Sequence, residues 1–482
     1  MTLDGLLAII GIIVAIYALA RPIQHQSIML FVPWWVVLTA VAVSCLILLS
    51  LDGLDTWNVP VCPGVTFGAK TVAFVFPVAA GIWAVCRWHS ARLSAKTDGL
   101  FRQFLLTSLR EDTFDEAVRI VLRNTDRLAS VLTKETADLL FDRRFVRALV
   151  AARSWVHLEL LTQDAILEKQ PNRFAAVDRT VRELLSADES PLRTAVLCEE
   201  GGDETLVCSD QESQLIDRTF CNPQWYMKCR VGNPLLMTAR ELLDSGKVDD
   251  TYNRNDLLYI SRQGVSSRSR CPLFLGEKTI VYAVKAAIEQ GVDGDFYVTD
   301  LAALFEDIYE HSRYDAAVWD NPPKYCGEFP TPFAYLLSTI SADLYSLGEE
   351  AFRKAKLGVD PPGEIVRQIG VTWAVCLAHV IQGPGHAPDR FRRGRVIQHF
   401  SFVLETLHPV ADKGKEAPPH LGAWQEAFLA PLKQMFGPSD HAARDFLTEA
   451  ANHLDLGRRN IFDHEAWLRS ELGLLARPRP QG

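Results

Sequence analysis

The sequence predicts a mostly α protein, in which a three-helix transmembrane N-terminal bundle precedes a large, predominantly helical cytosolic region with a small β-hairpin element. Three observations predict this fold class. Three apolar runs fall within the first 90 residues. Beyond them, apolar residues recur at the three- and four-residue spacing of amphipathic helices. That spacing breaks near residue 200, around a Gly-Gly-Asp group that is typical of a hairpin turn.

The three apolar runs are Gly5–Ala20, Ile28–Leu51 and Thr71–Cys86. The second is long enough to span a bilayer, whereas the 16 residues of each outer run rise only about 24 Å against a hydrocarbon core of ~30 Å. Flanking residues must then snorkel or the bilayer must thin. We therefore predict a transmembrane domain over residues 1–90, with spans at about 4–20, 28–51 and 71–87. The alternative is a helical hairpin buried in a soluble core.

The basic residues predict how these spans are oriented. The loop between the second and third spans holds Asp52, Asp55 and Lys70, whereas Arg87 and Arg92 follow the third span. Because cytoplasmic flanks carry an excess of Lys and Arg, the N-terminus is expected outside and the region after Arg87 in the cytosol. The sequence thus predicts a multi-pass protein of the bacterial inner (plasma) membrane.

The spans hold small residues but no ionisable side chain, which counts against an ion-coupled transporter. Small residues let helices approach closely in lipid, and Pro77 is expected to kink the third span beside Gly81. The small residues of the first span follow a three-four-three spacing: Ala8, Gly11, Ala15 and Ala18. Packing inside one three-helix bundle and packing between subunits of a homo-oligomer both fit this pattern.

Charge and cysteine content exclude several classes of protein. The chain has 50 basic and 59 acidic residues, and since the first 90 residues are neutral, the deficit of nine lies in the rest. An acidic body of this kind is a poor non-specific nucleic-acid binder, so no nucleic-acid partner is expected. The ten cysteines form no CxxC pair, so we assign no metal site and expect reduced thiols in a cytosolic compartment.

An amphipathic helical connector is predicted over residues 91–190. Its first apolar stripe consists of Phe101, Phe104, Leu105 and Leu109. We expect Asp112 to cap the next helix. In that helix and its successor the stripe continues through Ala117, Val118, Val121, Leu122, Leu128 and Leu132.

Two further regions complete the predicted organisation. Residues 191–330 are expected to form a mixed α/β subdomain, with a hairpin within 192–210 and another strand at Asp295–Leu301. Residues 331–482 are expected to form a C-terminal helical subdomain. Within it, Ile369–Ile381 is apolar on all sides but too short to cross a bilayer, which predicts a central core helix.

The hairpin contains a tetrapeptide, Gly201 to Glu204, that resembles the active-site signature of bacterial diguanylate cyclases. In that family the turn cradles guanine and phosphate, and one of its acidic residues binds Mg²⁺. The family pattern continues with Phe where this chain has Thr205, and its upstream Asn-Asp pair has no counterpart in the preceding forty residues. Two-metal phosphoryl transfer needs converging carboxylates. We therefore interpret the tetrapeptide as a tight turn.

Two basic clusters are candidate binding sites. In the first, between Tyr259 and Pro272, guanidinium groups and serine hydroxyls could bind an anion or phosphate; the residues are Arg262, Ser266, Ser267, Arg268 and Arg270. The second could meet anionic lipid, an acidic partner or a phosphate; it consists of Arg390, Arg392, Arg393 and Arg395. For both, the alternative is a solvated surface with local ion pairs.

These features predict a membrane-anchored sensor or effector. Its cytosolic region would sense a phosphorylated small molecule or a protein partner, and its short transmembrane helices would oligomerise or rearrange. The layout resembles bacterial stress and anti-phage defence membrane effectors. The alternatives are a membrane-tethered enzyme acting on a nucleotide or lipid head group, and a scaffold for a soluble partner. We assign no catalytic residue and no cofactor.

Overall fold

The computed structural model describes most residues of 92–199, 216–245, 271–311, 332–382 and 421–435, with isolated residues between 30 and 87 and near 400. The described part is mostly α-helical, which confirms the predicted class. The chain divides into two compact units, residues 1–176 and 177–482.

Two short strands, β1 (Asn58–Cys62) and β2 (Val65–Gly68), pair in antiparallel fashion between the second and third apolar runs. Cys62 pairs with Val65, so the connection has two residues, which the sequence gives as Pro63 and Gly64. The described residues contain no other strand. Both strands lie in the segment that was predicted to be a loop between the second and third spans.

In the described part of the first unit, six short helices follow a 3-10 turn at Ala95–Thr97. They are α1 (Asp98–Glu111), α2 (Asp115–Arg123), α3 (Thr125–Val131), α4 (Lys134–Leu140), α5 (Arg143–Ala151) and α6 (Val156–Thr162). Helix α1 packs against α2 and α4.

The core of the first unit follows the predicted apolar stripe with two corrections. The four stripe residues of α1 are buried, as predicted, but Leu122 is 41% exposed. Asp112 was expected to begin α2; instead it ends α1, in the left-handed region at φ 53°, and its N–H donates to the carbonyl of Ser108. Phe114 precedes the first residue of α2. A short polar side chain tolerates the left-handed conformation, so the same Asp can serve at either end of a helix.

Longer helices build the second unit. Most of α7 (Arg173–Ser186) belongs to it; the others are α8 (Pro191–Glu199), α9 (Pro223–Cys229), α10 (Gly232–Asp244), α11 (Pro272–Gln290), α12 (Tyr297–His311), α13 (Pro332–Lys356), α14 (Gly363–Gln382) and α15 (Leu421–Met435). Helix α12 packs against α10, α11, α13 and α14, and α14 also packs against α15.

Helix α14 confirms the predicted core helix. It contains the whole of Ile369–Ile381, and both Trp373 and Cys376 are fully buried. At Gly370 the helix approaches α15 so closely that a Cβ would overlap the carbonyl oxygen of Phe428. This close approach explains why glycine stands in the middle of a helix that it otherwise weakens.

Two predicted strands are helical. The first half of the expected hairpin lies in α8, where Leu192, Ala195 and Val196 are buried at helical spacing. The expected strand at Asp295–Leu301 overlaps the first turns of α12, in which Val298, Leu301 and Phe305 are buried. In both segments, a few residues taken alone have the alternation of a strand. Over the whole length of the helix, the apolar residues recur at helical spacing. The Gly-Gly-Asp turn itself lies outside the described residues.

The three predicted spans lie mostly outside the described residues. Within the described part of the chain, no helix has both the length and the apolar character needed to cross a bilayer.

Candidate functional site

Almost all of the site residues expected from the sequence lie outside the described part of the chain. These are the Arg and Ser residues between 262 and 270, the arginines between 390 and 395, the small residues of the first span, and Pro77. Gly81 is described: it is helical and exposed, and a Cβ there would meet nothing within 4 Å. The candidate site must therefore be built from other residues.

Large apolar side chains are exposed in the described residues of the second and third apolar runs. Trp35, Leu46 and Ile82 are exposed by 68%, 66% and 59%. We call the group the N-terminal apolar surface; its members are Trp35, Leu46, Val75, Val78, Ile82 and Trp83, each of them helical and at least 40% exposed. Contiguous exposed apolar groups mark a site that contacts another apolar phase or partner.

An apolar cavity of about 560 Å³ opens beside this surface. Its walls come from both apolar runs and carry no acidic or basic group; they are Trp35, Val36, Thr39, Val43, Val75, Ala79, Ala80 and Trp83. The only polar side-chain groups in the walls are a hydroxyl and two indole N–H groups. Chemically, the cavity can accept hydrocarbon and little else.

A half-buried carboxyl group, Asp300, lies in the second unit. It belongs to the first turn of α12, and the hydroxyl of Tyr226 donates a hydrogen bond of 3.1 Å to its Oδ2. Gly232, the first residue of α10, leaves the space that the carboxyl occupies, because a Cβ there would overlap Oδ2. Burial raises the pKa of Asp300 to about 7, although the Tyr226 hydrogen bond acts in the opposite direction. The group can therefore gain or lose a proton near neutral pH.

A buried ion pair connects α11 with α13. The Nζ of Lys278 lies 2.7 Å from Oδ2 of Asp343, and the two side chains are 7% and 18% exposed. The same ammonium lies 5.5 Å from the centre of the Phe274 ring. Removing either partner would leave a largely buried charge without its counter-ion, which would destabilise the packing of the two helices.

His157, in the first unit, is a buried imidazole held neutral. Its Nε2 donates a hydrogen bond of 2.8 Å to the carbonyl of Leu140, and the rings of Phe141 and Phe145 lie beside it. Its Nδ1 has no hydrogen-bond partner among the described residues. Burial lowers the pKa of His157 to about 4. This environment suits a packing role rather than proton transfer at neutral pH.

Sequence reasoning did not select Asp300, Lys278 or His157 as site residues, since single ionisable residues in helices carry no motif. Glu277 and Lys278 are adjacent charged residues among the apolar residues of the first half of α11, and that pattern was the only local signal of a buried charge. Among the described residues, no three His, Cys, Asp or Glu side chains lie close enough together to hold a metal ion.

Comparison with known protein families, with curated proteins and with solved structures finds no match for this chain.

Proposed function

We propose that this protein is a membrane-anchored sensor or effector of the bacterial inner membrane. Its cytosolic region senses a phosphorylated small molecule or a protein partner, and its short transmembrane helices oligomerise or rearrange in response. The observation that supports the anchor best is the N-terminal apolar surface. Exposing side chains such as Trp35 and Ile82 to water is unfavourable by about 25 cal/mol per Å², whereas exposing them to lipid is not.

The three-helix transmembrane bundle is part of the proposal. Except for Val32, the described residues of the second and third apolar runs are helical, and from Leu30 to Cys86 those described include no acidic or basic side chain. Irregular backbone with free polar groups is excluded from lipid, so helical residues with apolar exposure favour a membrane location. The proposed spans are residues 4–20, 28–51 and 71–87, with the N-terminus outside.

The sensing region rests on the sequence. The anion or phosphate site is proposed at Arg262, Ser266, Ser267, Arg268 and Arg270. The arginines between 390 and 395 form a second basic patch for an anionic partner. Helices α1 to α6 follow the last apolar run in the chain, which supports their proposed role as the connector between the membrane spans and the rest of the cytosolic region.

The anchor is tested by fractionation of the full chain expressed in a bacterium. We expect the protein to remain in the membrane pellet after alkaline carbonate extraction, because integral helices are not released by high pH. A variant lacking residues 1–90 should be found in the soluble fraction. Full-length protein in the carbonate supernatant as a folded particle would contradict the proposal.

The sensing role is tested by native mass spectrometry of the detergent-extracted protein, which reports subunit number and retained small ligands together. We expect a ligand to be retained by the unmodified protein and lost in an Arg268→Ala, Arg270→Ala variant that still fractionates with the membrane. Lys228→Ala, Lys285→Ala is a matched control, because both lysines are exposed residues of the second unit. Equal ligand retention by all three proteins would show that the ligand, if any, binds elsewhere.

A further inference from the structure

The segment that follows the last apolar run has an exposed charge of one sign. Between residues 87 and 110 the Arg and Lys residues are Arg87, Arg92, Lys96, Arg102 and Arg110, and all of them are exposed. The single acidic residue, Asp98, is buried and accepts hydrogen bonds from the backbone N–H and the hydroxyl of Thr133. The exposed part of this segment is therefore positive in a chain whose net charge is −9.

Helix α1 arranges part of this charge in one row. Arg102, Leu106 and Arg110 are four residues apart and lie on the same solvent-facing side. Leu106 is 45% exposed, and Leu100, at the other edge of the exposed side of the helix, is 48% exposed. The opposite side of α1 is in the core. The outer side of α1 thus combines cations with exposed leucines, which is typical of helices that lie in a membrane interface.

Carboxylates lie near this row, but none of those described is ion-paired with its two arginines. Glu111 and Asp112 stand at the C-terminal end of α1, and Asp126 lies 3.9 Å from Arg92. The pKa of the exposed Glu135 is lowered, first by a backbone hydrogen bond and to a smaller extent by Arg102. Among the described residues, no carboxylate forms a salt bridge with Arg102 or Arg110. Their guanidinium groups are available to another anion.

We propose that this side of α1 binds the anionic head groups of the membrane that receives the apolar runs. We name it the juxtamembrane face, and it consists of Lys96, Leu100, Arg102, Leu106 and Arg110. The inference rests on the proposed function, because the last apolar run ends ten residues before Lys96 and so brings α1 near the lipid surface. Arginine and lysine side chains near an anionic leaflet are attracted to it, and the leucines enter the head-group boundary.

The test uses the full chain in lipid nanodiscs and a Leu106→Cys substitution on the juxtamembrane face. The rate at which a water-soluble maleimide modifies the introduced thiol is followed by peptide mass spectrometry, which separates it from the native cysteines. We expect the rate to fall by at least about fivefold when a third of the phosphatidylcholine is replaced by phosphatidylglycerol, since each basic side chain near the surface contributes roughly a fivefold preference. High salt should abolish the difference.

Two variants make the result specific. Adding Arg102→Glu and Arg110→Glu should abolish the protection of the introduced thiol, whereas Lys228→Glu and Lys285→Glu, with the same change of net charge, should leave it intact. A Met237→Cys probe on α10 reports an exposed site of the second unit, since Met237 is 51% exposed, and its rate should not depend on lipid charge. Equal unfolding temperatures of the two charge variants would exclude misfolding as the cause.

Three outcomes overturn the inference. Equal modification of the Leu106→Cys thiol in both lipids would mean that the face does not meet anionic lipid, while the membrane anchor would stand. Protection that survives Arg102→Glu and Arg110→Glu would point to a protein contact or to the leucines alone. A full chain that fails to enter nanodiscs at all would contradict the membrane anchor and this inference together.

Discussion

Two tryptophans show that large apolar side chains differ in solvent exposure between the N-terminal region and the helical body. Trp35, in the second apolar run, is 68% exposed, whereas Trp373, in helix α14, is fully buried. From Arg92 onward most described helices pack an apolar side in a core and expose a polar side to water, and α14 lies in the core on nearly all sides. Many of the described residues before Arg87 expose indole or aliphatic groups, although Leu30, Phe31 and Val32 are buried. The difference indicates that the two regions are built for different surroundings.

Charged groups show the same contrast. The described residues from Leu30 to Cys86 include no acidic or basic side chain, whereas the helical body buries Lys278 beside Asp343 and holds Asp300 half-buried at a pKa of about 7. Burying a charge is costly unless it is paired, so the body has hydrogen-bonded and ionic partners at these positions. The following four predictions test the contrast, in decreasing order of effect.

The largest effect is expected at the buried ion pair. Lys278→Met leaves the Asp343 carboxylate without its counter-ion and should reduce the free energy of unfolding by about 3–5 kcal/mol. Urea unfolding of the detergent-extracted protein, followed by tryptophan fluorescence, measures this loss. The double variant Lys278→Met, Asp343→Leu should recover most of it, because no lone charge remains. A loss below ~1 kcal/mol in the single variant would mean that this pair is not a determinant of the body's stability.

Introducing a charge at an exposed apolar residue should have a large effect in the N-terminal region and almost none in the helical body. Ile82→Lys places an ammonium on the N-terminal apolar surface and should weaken membrane insertion by about 3 kcal/mol. Leu122→Lys, at an exposed leucine of α2, should change the free energy of unfolding by no more than about 0.5 kcal/mol. The fraction of each variant that resists carbonate extraction measures the first effect. Equal resistance of Ile82→Lys and the unmodified protein would remove the contrast.

A methyl group added at a helical glycine tests packing in each region. Gly370→Ala brings a Cβ against the carbonyl oxygen of Phe428 and should destabilise the body by about 1–3 kcal/mol. Gly81→Ala meets nothing within 4 Å and should be neutral or stabilising by up to ~1 kcal/mol, since alanine favours the helix. Thermal unfolding of the extracted protein compares the two. A tolerated Gly370→Ala would mean that α14 and α15 can separate without cost.

The smallest expected effect is a pH dependence from Asp300. The pKa of Asp300 is about 7 in the folded protein, against an ordinary value of 3.8. Between about pH 4 and 7 the folded chain therefore retains a proton that the unfolded chain has already released. The free energy of unfolding should therefore fall by about 1–2 kcal/mol as the pH rises through this range. Asp300→Asn should lose this dependence.

His157 supplies the opposite slope, which is why the comparison needs the Asp300→Asn variant. Its pKa is lowered to about 4, so the unfolded chain binds the proton first and stability decreases as the pH falls from 6.5 to 4. The two contributions partly cancel in the unmodified protein. The difference between the two proteins isolates Asp300, and identical pH profiles would contradict the raised pKa.

The sequence predicted those features of the fold that depend on a long apolar period. The stripe of α1 extends over more than two turns and the core helix around Trp373 over more than three, and the structure confirms both. Short segments were less informative. In α8, Thr194 and Val196 suggested a strand, but Pro191 at the first helical position was the stronger signal.

Tertiary contacts explain most of what sequence reasoning could not find. The environment of Asp300 depends on Tyr226 and Gly232, which are about 70 residues away in the chain. The Lys278–Asp343 pair joins side chains that are 65 residues apart. No local pattern encodes such distances. The hairpin at β1 and β2 had a local signal in the sequence, the Pro63-Gly64 dipeptide between two segments with β-branched residues, but the adjoining apolar runs were the stronger pattern.

Photolabelling with an apolar diazirine that partitions into the hydrocarbon core of the bilayer tests the central claim most directly. After irradiation of native membranes, peptide mass spectrometry locates the adducts along the chain. We predict labelling of peptides that contain Trp35, Leu46 and Ile82, and none at Leu122 or Met237, which are also exposed apolar residues. Unlabelled N-terminal peptides, or equal labelling of both groups, would contradict the membrane anchor.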